Sequence, residues 1–187
     1  GNHIQYLKRQ YNVTGIDFHK EMIDIARDKF PNITFLQGDM TSFNLNKKYD
    51  VITCFFGSIA YVKTYSNLEK VIGCFSKHLK SGGVAIIEPF FSPDTWEEGY
   101  VGLRTVDRPG LKISRVSFSY TKKDIGISDM RYTIATKKGI EEIKEKHEAG
   151  LFAIDKSLRI MNDKGFSAKH ITKEWMPGRG LYICVKK

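Results

Sequence analysis

Apolar positions along this chain fall either into short, nearly continuous runs or into stripes spaced three and four apart, and the two alternate as strands and helices do. Residues 1–11 read as a helix with Ile4, Leu7 and Tyr11 on one side. Val13 to Ile16 is a short apolar strand ending at Asp17. A helix follows as far as Phe30, with Met22, Ala26 and Phe30 at helical spacing as the face packed on a sheet, and Pro31 stops it. Ile33 to Leu36 is a second strand, running into Gln37-Gly38-Asp39-Met40. Tyr49 to Phe56 is almost unbroken in its apolar character, the pattern of a strand buried on both faces. Ser66 can cap a helix carrying Leu68, Val71, Ile72, Phe75 and Leu79, which Ser81-Gly82-Gly83 ends, and Val84 to Ile87 is a further buried strand closed by Glu88-Pro89. This order predicts an α/β fold with a doubly wound sheet, whose ligands collect at the carboxyl ends of the strands.

After Pro89 the helical period is lost. Phe90, Phe91, Trp96 and Tyr100 cluster among Pro93, Gly99 and Gly102, and from Leu111 to Thr136 the residues alternate, with Lys123 to Gly126 able to make a hairpin turn. An inserted antiparallel β unit over about residues 93–138 is expected. Gly139 to Phe152 fits a helix through Ile140, Ile143 and His147, and fits a strand by topology; strand is preferred. Ile154 to Asp163 reads as a helix with Leu158 and Met161 inward and Gly165 as its stop, followed by a final strand pair, Phe166 to Ile171 and Gly180 to Val185. The whole, residues 1–187, reads as one domain with one insertion.

Composition adds constraints. With 187 residues, 41% hydrophobic and 12% aromatic, the chain can bury a substantial core. The apolar run Val51 to Val62 is too short to span a bilayer and no leader pattern is present, so a cytoplasmic protein without membrane contact is expected. Cys54, Cys74 and Cys184 are odd in number, far apart and set among apolar neighbours, which predicts neither a disulfide framework nor a metal site. Lys and Arg number 30 against 21 Asp and Glu, a net charge of +9 that favours an anionic partner. The basic residues are scattered, so nucleic acid is not the expected one.

Candidate chemistry starts at Asp17. A carboxylate at the end of a strand in such a sheet can accept hydrogen bonds from a ribose diol, although it can equally cap the following helix. Asp39 is a second carboxylate after a second strand, and Gly57-Ser58 offers a ligand close approach to the backbone after the third.

The strand ending in GID, the later LQGDM, the DVITCFF strand, the helix ending in LKSGG and the strand ending in EP together resemble the class I S-adenosylmethionine-dependent methyltransferases, with a Rossmann-like sheet. GDMTSF, GSIAYVKT, GGVAIIEPFFSPDTW, SRVSFS and GRGLYI are more narrowly similar to the N,N-dimethyltransferases of dTDP-linked amino sugars. The resemblance implies that S-adenosylmethionine is the cofactor. Asp17 would hold its ribose hydroxyls, Phe18 and Met22 would flank the adenine, Asp39 would accept from the adenine amino group and the Met40 N–H would read a ring nitrogen. Phe55 would lie beside the methionine part. It also implies a first strand and a glycine-rich loop preceding this sequence, with Gly1 as the loop's last residue.

For the substrate, the resemblance implies a nucleotide-linked amino sugar, a small anionic molecule covered by the inserted sheet. Tyr61, where relatives often carry His, is a candidate to orient the amine; a phenol with an ordinary pKa of about 10 is a poor base. Ser58 is a further candidate beside it. Arg179, between small residues, and Arg115 in the insertion are candidates for the diphosphate, and Phe91 and Trp96 for sugar and base. Two other classes compete: a methyltransferase acting on RNA or another macromolecule, motivated by the charge, and a non-catalytic binding protein on this fold. A homodimer is admitted but not dictated.

Overall fold

The computed structural model describes residues 2–172 and 178–187. Its N-terminal unit is a parallel pair, β1 (Thr14–Asp17) beside β2 (Thr34–Gln37), with α2 (Lys20–Lys29) packed against both. Ile23, Ala26, Phe30 and Phe35 are buried together with Ile4 from α1 (Ile4–Leu7). The expected helix face is rotated: Ile23 takes the core position assigned to Met22, which is 47% exposed. The helix expected over residues 1–11 is reduced to the four residues of α1, because Leu7 and Tyr11 find no core to pack on and Tyr11 is exposed.

A second sheet has the order β3 (Tyr49–Cys54), β4 (Leu79–Ile87), β10 (Leu181–Lys186), β9 (Phe166–Ile171). β3 and β4 are parallel, whereas β10 runs antiparallel to both β4 and β9. β3 is not buried on both faces. It pairs only with β4 among the described residues and stands at the edge of its sheet, so Val51 is 44% exposed despite the apolar run around it. α3 (Tyr65–His78) and α4 (Ile154–Asp163) cover this sheet, and Leu68, Val71, Ile72, Phe75, Leu79, Ile87, Met161, Phe166 and Cys184 form the main core. Thr64 caps α3 by accepting the Asn67 N–H at 3.2 Å, a position two residues ahead of the expected Ser66 cap. The Ser81-Gly82-Gly83 stretch lies inside β4 instead of ending a helix, because the chain turns directly from α3 into the strand at Leu79.

The third unit is a four-stranded antiparallel meander, β5 (Val101–Arg108), β6 (Leu111–Lys122), β7 (Ile125–Thr136) and β8 (Gly139–Gly150). Lys123, at φ 57°, makes the predicted tight turn between β6 and β7. Gly139 to Gly150 is a strand, paired along its whole length with β7. Its last residues lie against a short 3-10 helix, Ser58–Val62, that follows β3. Gly150 makes this approach attainable, since a Cβ there would come within 3.0 Å of the Lys63 backbone. No helix among the described residues is long and apolar enough to cross a membrane.

Candidate functional site

At the carboxyl ends of β1 and β2, Asp17 and Gln37 stand side by side in register. Asp17 Oδ1 accepts the His19 N–H at 3.0 Å, which opens α2, and Oδ2 has no hydrogen-bond partner among the described residues. One carboxylate oxygen thus serves the backbone at the His19 N-cap, and the other is without a partner among the described residues. Phe18, the next residue, is 63% exposed, and Met22 in the first turn of α2 is 47% exposed. Large apolar side chains left in water at a strand end are the surface a flat heterocycle would cover. Asp39 lies in the turn after β2, where Oδ1 accepts from both the N–H of Thr41 at 2.7 Å and its hydroxyl at 2.8 Å. Met40 packs its side chain on the main core. Gly1 lies outside the described residues.

The end of β3 is built from strained backbone. Phe56 and Gly57 have φ of 57° and 66°, and a Cβ on Gly57 would meet the Phe90 ring at 3.0 Å. Glu88 at the end of β4 holds this turn, its Oε2 accepting the Phe56 N–H at 2.7 Å. Phe55 is half-buried, with the His3 ring 4.9 Å away, and Phe56 is exposed with His3 at 5.0 Å. α1 is thereby brought to the mouth of β3. Ser58 donates its hydroxyl to the Phe55 carbonyl at 2.8 Å, so its first task is to close the turn.

The guanidinium of Arg179 is not free in its loop. It pairs with Glu88 Oε1 at 3.5 Å and lies over the Phe90 and Phe91 rings, at 5.5 and 4.8 Å from their centroids. Both partners are largely covered, with side chains 31% and 16% exposed. Phe90, Phe91 and Trp96 pack on one another at 5.0 to 6.1 Å, so the aromatics expected to line a pocket form a cluster of their own beside the arginine. Pro177, the first residue of that loop, lies outside the described residues.

Tyr61 projects from the 3-10 helix towards β8, where its hydroxyl meets His147 Nδ1 at 2.5 Å; His147 Nε2 lies 2.6 Å from Glu145 Oε1. Burial raises the Tyr61 pKa, helped by the negative charge of Glu145, so the phenol stays protonated at neutral pH. The hydrogen bond from His147 holds the Glu145 carboxyl below its usual range, with Tyr132 and the charge of Arg115 adding to it. Alternate residues of a strand share a face. Glu145 and His147 therefore share theirs with Met130, Ser128 and Tyr132 of β7 and with Arg115, Ser117 and Ser119 of β6. Arg115 Nε is buried on this face without a partner among the described residues. His147 and Glu145 were not singled out by sequence as site residues; in β8 the i, i+2 spacing of an imidazole and a carboxylate was their available signal.

Known proteins give this geometry its context. A methyltransferase domain model matches residues 1–83. A dTDP-4-amino-2,3,4,6-tetradeoxy-D-glucose N,N-dimethyltransferase of Saccharopolyspora spinosa is 31% identical over 100% of this chain and 75% of its own length. A dTDP-3-amino-3,4,6-trideoxy-alpha-D-glucopyranose N,N-dimethyltransferase of Streptomyces venezuelae is 29% identical over 99% of this chain and 78% of its own. The solved structure of SAM-bound CalS10, an amino pentose methyltransferase from Micromonospora echinaspora, superposes with a TM-score of 0.92 at 25% identity, covering 99% of this chain and 78% of that one. The chain belongs to the S-adenosylmethionine-dependent methyltransferases and, within them, to the family of the dTDP-amino-sugar N,N-dimethyltransferases.

Proposed function

We propose that this enzyme transfers methyl groups to the amine of a dTDP-linked amino sugar. The observation that carries the substrate class is the reach of the similarity. The domain model stops at residue 83, whereas the likeness to enzymes named for dTDP-amino sugars continues through the antiparallel sheet to the end of the chain. Residues 84–187 are where a substrate, as distinct from a cofactor, would be recognised.

In this reading Asp17 Oδ2 accepts from the ribose hydroxyls, Phe18 and Met22 flank the adenine, Asp39 and the Met40 N–H meet the adenine edge, and Phe55 lies beside the methionine portion. The open oxygen of Asp17 and the uncovered apolar surface next to it fit that group. When bound, S-adenosylmethionine supplies an electrophilic methyl carbon on a sulfonium. The chain's own residues have to place a neutral amine in line with that carbon. Tyr61 offers the amine a hydrogen-bonding hydroxyl, and the antiparallel sheet stands above it as a lid. Arg115, with its unpartnered Nε, is the better-placed cation for the diphosphate; Arg179 can take part by sharing Glu88, and Phe91 and Trp96 supply flat apolar surface beside it. Ser58 borders this space through its turn.

Steady-state kinetics with a dTDP-amino sugar, the matching free amino sugar and a short RNA test this reading. The nucleotide sugar should be used most efficiently, the free sugar poorly and the RNA not at all. Preferential methylation of RNA would overturn it.

A further inference from the structure

Tyr61, His147 and Glu145 form a continuous chain of short hydrogen bonds that positioning an amine does not by itself require. Its two links, 2.5 Å and 2.6 Å, join residues from the 3-10 helix and from β8. A phenol needs no imidazole behind it to orient a ligand. The ordering is directional: Glu145 can only accept, so His147 carries its proton on Nε2, and Nδ1 is left to accept from the Tyr61 hydroxyl.

The geometry points to a proton relay in which Tyr61 passes the proton of the substrate's ammonium to His147, with Glu145 stabilising the imidazolium that forms. This rests on the amine-methylating reading above. A sugar amine, its pKa lowered by the neighbouring oxygens from the alkyl value of about 10 towards about 8, still binds largely as its ammonium at neutral pH, and an ammonium has no lone pair with which to attack. The proton moves from the ammonium nitrogen to the Tyr61 oxygen as the Tyr61 hydroxyl proton moves to Nδ1. The freed nitrogen lone pair then forms the N–C bond, and the C–S bond breaks with its electrons going to sulfur, which becomes a neutral thioether. The His147 side chain is 39% exposed and delivers its proton to water. The methylated nitrogen is again an ammonium, and the same path unloads it before a second transfer.

The surroundings of His147 suit this task. Glu145 faces it from its own strand and Tyr61 from the 3-10 helix. Its partner in register on β7 is the uncharged Ser128, and Arg115 and Tyr132 act on it through Glu145. Lys63, beyond the 3-10 helix, is neutralised by Glu148 at 2.7 Å. Tyr61 is about half exposed, and its partial burial and the charge of Glu145 move its pKa further above the ordinary value, so its neutral form passes a proton on as it receives one.

His147→Asn separates relaying from positioning, since the amide oxygen can accept from Tyr61 as Nδ1 does but cannot take up a proton. In the unmodified enzyme kcat for a dTDP-amino sugar should be independent of pH over a broad range, because a proton moved within the complex leaves its total charge unchanged. In His147→Asn the plateau should vanish, with kcat climbing about tenfold per pH unit towards the pKa of the amine. The loss should be about tenfold at pH 7 and about 100-fold at pH 6, following the neutral fraction of an amine of pKa about 8, with KM little changed. Glu145→Gln should lower the plateau without abolishing it. A His147→Asn enzyme with the unmodified rate and profile would overturn the relay. A second measurement needs no substrate: nitrogen NMR of labelled histidine should show His147 protonated at Nε2 and accepting at Nδ1, and the opposite tautomer would overturn the relay. Should the unmodified enzyme leave dTDP-amino sugars untouched, the substrate reading fails, and the tautomer still decides the relay.

Discussion

At Asp17 the division of labour between two oxygens sets what a substitution should do. On the proposed assignment, Asp17→Ala removes the ribose acceptor together with the bond from the His19 N–H. A charge-assisted hydrogen bond is worth about 1.5 to 3 kcal/mol, so cofactor affinity measured by calorimetry should fall by at least tenfold. Asp17→Asn keeps an acceptor for each task and should lose less. Arg179 behaves otherwise than a loop arginine would. Because it is bound to Glu88 and stacked on Phe91, Arg179→Ala leaves a mostly covered carboxylate without its cation, next to the turn that Glu88 holds. The melting temperature should drop as well as substrate affinity. Arg179→Lys should recover the charge but not the planar stacking on the ring. The thiols give a third test at this scale. Burial pushes Cys54 and Cys184 up to about 12, so neither should react with iodoacetamide at pH 8 until the protein unfolds.

At the scale of elements, the seam between β8 and the 3-10 helix should loosen in acid. The Lys63 ion pair lowers the Glu148 pKa, and the His147 hydrogen bond lowers that of Glu145, each from an ordinary 4.5. Carboxyls lowered in the folded state contribute stability above their unfolded pKa and lose it as the pH falls through the folded value. Amide resonances of Tyr61 and His147 should therefore shift below pH 4.5, in advance of global unfolding. A different joint holds α3 to the loop before β3. His78 is buried, with Nδ1 2.8 Å from the Cys74 carbonyl and Nε2 accepting the Leu45 N–H at 3.0 Å. His78→Leu preserves bulk but leaves the Leu45 N–H without its acceptor, and denaturant unfolding should show a loss of about 1 to 3 kcal/mol. Much of this was readable in the sequence, and some was not. The strands and helices from β1 to β4 follow from periodicity, and the β6–β7 turn from its residues. β5 does not stand out because almost all of it is exposed and its apolar positions, Val101, Leu103 and Val106, break the alternation, with Gly102 inside it. Met22 was misplaced by one position, since Ile23 shares the helical spacing that was used.

For the molecule as a whole, the carboxylates at strand ends and Tyr61 were legible because they lie in local motifs. The relay was not, because Tyr61 and His147 are separated by 86 positions and meet only when β8 folds back on the 3-10 helix. The antiparallel sheet thus brings an imidazole to the tyrosine. On the proposed reading, methyl groups pass to the amine of a nucleotide sugar at this junction. Mass spectrometry of a dTDP-amino sugar incubated with the enzyme and S-adenosylmethionine bearing a deuterated methyl tests it most directly. Labelled methyl groups should appear on the sugar nitrogen, located by fragmentation. Label found only on oxygen or carbon, or none on the nucleotide sugar, would contradict it.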